Sequence, residues 1–164
     1  MSSTGSRRRR AVSAEDKSQR RGEILVAAKE VFARKGFHAT TIADIAKQAG
    51  LAYGSIYWYF DSKEELFRAL MAVQEVALRA RVATALGELG GLPDDSRGEA
   101  SFRALLMASA QATFEFFEAD RATVKLLFRD AYALGDRFEK HLGGIYERFI
   151  DDIETIIVAA QRAR

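Results

Sequence analysis

The 164-residue sequence contains no cysteine, one proline and two histidines. Without cysteine there is no disulfide framework and no thiolate zinc site, which fits a reducing intracellular compartment. One proline among 12 glycines excludes a collagen-like repeat, and 48% hydrophobic residues exclude a disordered chain. His38 and His141 have no partner at metal-ligand spacing, so no metal site is expected. No apolar run approaches a membrane span, and the N-terminus lacks the apolar stretch of a secretory signal. A soluble, cytoplasmic protein without membrane contact is expected. A phosphate-binding glycine loop, a dinucleotide fingerprint and a nucleophile elbow are all missing. Glu139 and His141 stand two residues apart, on different faces of a helix. The chain is therefore expected to be no enzyme and to hold no cofactor.

The net charge of +2 conceals an uneven distribution. Residues 1–63 carry 12 basic and 6 acidic side chains, while residues 64–164 carry 13 and 17. A cationic N-terminal third suits a polyanion, and the acidic remainder suits another task.

Helical periodicity dominates and sustained strand alternation is absent from Glu15 onward, which predicts an all-α fold. A first helix is expected over Asp16 to Lys35, with Ile24, Leu25, Ala28, Val31 and Phe32 on one stripe and Gly36 ending it. Thr41, with Asp44 three residues on, caps a second helix from Ile42 to Ala49. Gly50 turns the chain into a third helix, Tyr53 to Tyr59, with Ile56 and Phe60 inward. Asp61 and Ser62 open a fourth helix reaching Leu86, with Leu66, Leu70, Val73, Ala77 and Leu78 on its apolar face. Gly87 to Gly98, with four glycines and the proline, reads as a loop. Helices then follow over Glu99 to Glu118, Arg121 to Leu134 (capped by Asp120) and Asp136 to Gln161. These divide the chain into a basic flexible arm (1–15), a helix-turn-helix domain (16–63) and a helical effector-binding and dimerisation domain (64–164).

Thr41 to Lys63 is the most informative stretch. It places a short helix, a glycine turn and a second short helix rich in hydrogen-bonding aromatics inside the basic region. A helix of about two turns cannot bury Tyr53, Tyr57, Trp58 and Tyr59 at once, so part of this set faces a ligand. The DNA major groove accepts such a helix end-on. Gly54 leaves a gap through which backbone can approach a duplex.

Ile24-Leu25-Val26-Ala27-Ala28 to Phe32, Lys35-Gly36-Phe37, Thr40 to Ala46, Ala49-Gly50-Leu51, Gly54 to Phe60 and Ser62 to Leu66 together resemble the DNA-binding domain of the TetR family of bacterial transcriptional regulators. The resemblance covers Arg20 to about Leu70. It implies a three-helix head and a helical body, working as a homodimer on a palindromic site in double-stranded DNA and released by a small effector. Carried onto this chain, it makes Tyr53, Gly54 and Tyr57 base-reading positions. It makes Thr41, Ser55, Trp58, Tyr59 and Lys63 phosphate contacts. Ala52 departs from the pattern, where many relatives carry Ser or Thr, and leaves the third helix without a side-chain cap. The family's dimer uses two further helices beyond the one expected at Asp136 to Gln161; either this chain is shortened or that helix is itself the dimer seam.

Arg7, Arg8, Arg9 and Arg10 are expected either as a DNA-contacting arm or as a solvated tail. In the body, Phe102, Phe114, Phe116, Phe117, Phe128, Phe138 and Phe149 either fill a core or line an apolar effector pocket. For the pocket, the candidate positions are Met107, Gln111, Phe114, Phe117, Phe128, Arg129, Tyr132 and His141. The function expected is a ligand-responsive repressor. A helical protein-interaction module and a constitutive architectural DNA binder are the alternatives.

Overall fold

The computed structural model describes residues 4–88 and 99–130, together with Gly144, Glu147, Arg148, Ile150, Asp151, Glu154 and Val158. Among the described residues every regular element is helical. The order is α1 (Thr4–Lys35), α2 (Ile42–Gln48), α3 (Tyr53–Ile56), α4 (Lys63–Glu88), α5 (Glu99–Ala119) and α6 (Arg121–Lys125), followed by a π-helical turn (Leu126–Asp130). The expected residues 131–143 and most of the last helix lie outside the described set. The chain divides into two compact units, Met1–Leu70 and Met71–Arg164, with the boundary inside α4.

In the first unit the inner faces close on one another. Ile24, Ala28, Val31 and Phe32 of α1, Ile45 of α2, Ile56 after the glycine turn, and Leu66 and Phe67 of α4 are all fully buried. Phe32, Phe37 and Phe67 form a three-ring cluster with centroids 5.3–5.7 Å apart, in stacked and edge-on pairs that favour the ring quadrupoles. Gly36 and Gly50 both adopt positive φ, at 86° and 66°, as the two chain reversals require.

Two expectations are corrected here. α1 runs back to Thr4 rather than starting at Asp16, so the stretch expected as a flexible arm is helical from Thr4. No proline and no glycine lie between Gly5 and Gly22, and extending a formed helix costs little. α3 ends at Ile56 rather than Tyr59. Beyond it the chain tightens through Trp58 N–H to Ser55 and Tyr59 N–H to Ile56 bonds of the i to i−3 type. Four successive aromatic residues of modest helix propensity occupy that stretch, and Phe60 must still reach the core, where it is 1% exposed.

In the second unit, Asp120 accepts from the Thr123 N–H and hydroxyl, capping α6 as its sequence position predicts. Arg81 pairs with Glu115, and the Arg148 guanidinium forks onto Glu75, tying α4 to later helices. α6 does not continue as α-helix to Leu134. The backbone widens at Leu126–Asp130, keeping Leu126 buried while burying the Asp130 carboxylate against both Nε and Nη2 of Arg129.

Candidate nucleic-acid interface

Thr41 closes a reciprocal cap at the start of α2. Its hydroxyl accepts from Asp44 N–H at 3.1 Å, while its own N–H and O–H both donate to Asp44 Oδ2 at 3.0 and 2.8 Å. The shorter aspartate thus does what glutamate usually does in this motif. Lys35 Nζ donates to the other carboxylate oxygen at 2.6 Å, tying the end of α1 to α2. That bond, followed by the Thr41 amide and hydroxyl, holds the Asp44 carboxyl well below the usual carboxylate range. Gln48 on α2 donates to Glu30 on α1 at 2.5 Å, so the short α2 is pinned at both ends.

α3 follows with Ala52 at its N-cap and no side-chain cap bond, as the sequence implies. Ile56 and Phe60 anchor the segment in the core, and Arg21 of α1 covers the Phe60 ring at 4.5 Å. With the inner side filled, the other aromatics have nowhere to go but outward. Tyr53 is 55%, Tyr57 42% and Trp58 79% exposed; Tyr59 is half-buried. The Tyr53 and Tyr57 rings meet edge to face, and their hydroxyls share one hydrogen bond of 2.8 Å. That bond raises the Tyr57 phenol above its ordinary pKa. One hydroxyl proton is spent inside the pair, which leaves one donor and several lone pairs facing solvent. A Cβ built on Gly54 meets nothing within 4 Å, so an incoming surface can approach the backbone there.

Beside Trp58 and Tyr59 an open groove is bounded by Asp16, Lys17, Gln19, Arg20 and Glu23 of α1. Sequence reasoning missed this wall. Its signal was the i, i+3 and i+4 spacing of polar residues on α1, which becomes informative only once α1 is known to pass the end of the aromatic segment. Glu23 is neutralised locally by Arg20 at 2.5 Å and accepts from Gln19 at 3.2 Å.

Residues 24–70 match the family described as bacterial regulatory proteins of the tetR family. The chain belongs to the TetR family. FasR, a transcriptional activator of Mycolicibacterium smegmatis, is 34% identical over 116 residues, covering 71% of this chain and 48% of FasR. The solved structure of the ketosteroid transcriptional regulator KstR2 of Mycobacterium tuberculosis superposes with a TM-score of 0.60 at 32% identity, covering 81% of this chain and 62% of KstR2. The fatty acid degradation regulator FadR of Bacillus halodurans gives a TM-score of 0.67 at 18% identity over 85% of this chain and 67% of FadR, a likeness of fold alone. This TetR-family chain spans about half the length of FasR.

The other expected site residues divide. Lys63 is half-buried and its ammonium faces backbone carbonyls of the α1–α2 turn. Arg7 to Arg10 lie on helical backbone, and their side chains lie outside the described residues. For the effector pocket, Met107 is 64% and Phe114 76% exposed, and Gln111 between them is exposed and donates to Glu115 at 2.9 Å. These three share the outer face of α5, whereas buried Ala112 and half-buried Leu105, Ser109 and Phe116 share the opposite one. Met107, Gln111 and Phe114 therefore stand on the exposed side of α5. Phe117 is half-buried edge-on to Phe116, and Arg129 is engaged by Asp130. The side chain of Phe128, and Tyr132 and His141 altogether, lie outside the described residues.

Proposed function

We propose that this chain is a sequence-specific DNA-binding transcriptional regulator, a ligand-responsive repressor acting in the cytoplasm as a homodimer on a palindromic operator. The carrying observation is the outward set of Tyr53, Tyr57 and Trp58 on a segment whose inner residues, Ile56 and Phe60, are fully committed to the core. Hydrogen-bonding aromatics held rigidly from behind suit base edges and sugar-phosphate better than they suit bulk water. Tyr53, Tyr57 and the open backbone at Gly54 approach bases. Ser55, Trp58 and Tyr59 flank the phosphates, and Thr41 reaches them only by releasing its hydroxyl proton from Asp44.

Relatives supply both signs of regulation, since FasR is named an activator and KstR2 a repressor. Repression is the simpler consequence of a head that occupies DNA without needing a second protein. A small apolar effector suits the phenylalanine-rich second unit, and the ketosteroid named for KstR2 belongs to that chemical class. No helix among the described residues is long and apolar enough to cross a membrane.

Selection of bound fragments from a random duplex library, followed by anisotropy titration across salt concentrations, tests the reading. Inverted half-sites and a steep fall of log affinity with log salt are expected. Absence of binding at low salt overturns it in favour of a protein-interaction module. Binding without half-sites points to an architectural role.

A further inference from the structure

Lys63 opens α4, and its Nζ stands over the Phe37 ring, 4.4 Å from the centroid. From there Nζ donates to the carbonyl oxygens of Phe37 and Thr40, both at 2.8 Å, and to that of His38 at 3.4 Å. An ammonium group has three protons and no acceptor capacity, so three carbonyls account for its whole donor inventory. All three belong to the turn between α1 and α2. The same turn is braced by the Thr40 hydroxyl on Gly36 O at 2.6 Å and by the positive φ of Gly36. Thr40 is buried, and the next residue, Thr41, is the cap that starts α2. Phe37, under the cation, belongs to the ring cluster with Phe32 and Phe67.

We propose that Lys63 is a positioning residue that latches the start of α4 to the α1–α2 turn and thereby sets α2 and the α3 aromatics for DNA, and is not itself a phosphate contact. This rests on the DNA-binding reading and replaces one expected contact with an internal one. To reach a phosphate, the ammonium would have to leave its carbonyls and the face of Phe37. The site is also specific for lysine: three oxygens converge on one atom, which a compact, rotatable ammonium satisfies and a planar guanidinium fork does not.

That difference separates position from charge. Lys63→Arg and Lys63→Met are compared with the unaltered full chain by anisotropy, on the selected operator and on an unrelated duplex, at several salt concentrations. The titrations run well below the thermal midpoint of each variant, so loss of global stability alone leaves the readings unmoved. Positioning predicts that both variants lose about tenfold on the operator and much less on unrelated DNA, with the salt slope unchanged. It also predicts faster amide exchange over residues 36–41 in both. A phosphate contact predicts that Arg preserves affinity, while Met weakens all duplexes alike and lowers the slope by about one. That result overturns the proposal, as does unchanged affinity and exchange in both variants. Should Lys63→Met fail to fold, Lys63→Arg carries the comparison alone. If the unaltered chain binds no duplex, the DNA reading fails, while the exchange of residues 36–41 still reports whether the latch exists.

Discussion

The two units treat their apolar side chains differently. In the first, Ile24, Phe32, Ile45, Ile56 and Phe67 are fully buried, and apart from Val26, 63% exposed, the large side chains that stand out are Tyr53, Tyr57 and Trp58, each with a polar handle. In the second, Val73, Val76, Leu106, Met107, Phe114 and Ile150 are 46–76% exposed although none carries a hydrogen-bonding group. The first unit encloses its own core and shows amphipathic rings that water tolerates and nucleic acid can use. The second leaves apolar surface to solvent, so substitutions at those positions disturb its own packing little.

The strongest way to break this contrast is truncation of one ring in each unit. Phe32→Ala should cost about 3–5 kcal/mol of unfolding free energy in urea titration, because a fully buried ring leaves a cavity. Phe114→Ala should cost less than about 0.5 kcal/mol, as an exposed side chain does. Equal losses would abolish the distinction. Next in size, Tyr57→Ala should lower operator affinity by about tenfold with an unchanged thermal midpoint; an effect within twofold refutes its role in base reading. Tyr53→Phe and Tyr57→Phe should be non-additive, since each breaks the same shared hydrogen bond.

Smaller effects sharpen the picture of the head. Thr41→Ala should destabilise it by about 1 kcal/mol through loss of the cap, read from denaturant midpoints. Gly54→Ala should leave stability unchanged or raise it by up to about 1 kcal/mol, since its Cβ enters open space, yet weaken DNA binding by filling the gap. The smallest expected effect concerns acid. The Asp44 carboxyl titrates lower when folded than when unfolded, where carboxylates sit at about 3.9. Its contribution is therefore complete above that value and fades as pH falls through the folded pKa. Asp44→Asn should flatten the acid limb of the stability curve. An unchanged limb would show that Lys35 and Thr41 do not hold the charge in solution.

Much of the head was legible before any coordinates. Gly36 and Gly50 follow from their turns, Thr41 with Asp44 from their cap spacing, and the outward tyrosines from the impossibility of burying every side of a short helix; in the second unit Asp120 follows from its cap spacing in the same way. The missed features share one cause. Phe37 and Phe67 join the core, Lys63 turns inward and α1 flanks the aromatic groove through neighbours distant in sequence, which periodicity within one helix does not report. The candidates on α5 are of another kind: exposed Met107 and Phe114 share their face with exposed Arg103, Gln111 and Glu118, a polar company that marks the outer side and that counting apolar residues alone does not report.

Sequence alone determined the helical class, the positions of reversals and caps, the cationic first third and the family that residues 24–70 match, because these depend on local dihedral preference, short-range spacing and ordered motif. Tertiary structure decided where α3 stops, which rings close the core and what Lys63 touches. Those outcomes depend on which groups from separate helices compete for the same buried space and the same carbonyl oxygens, and that competition exists only once the chain has folded.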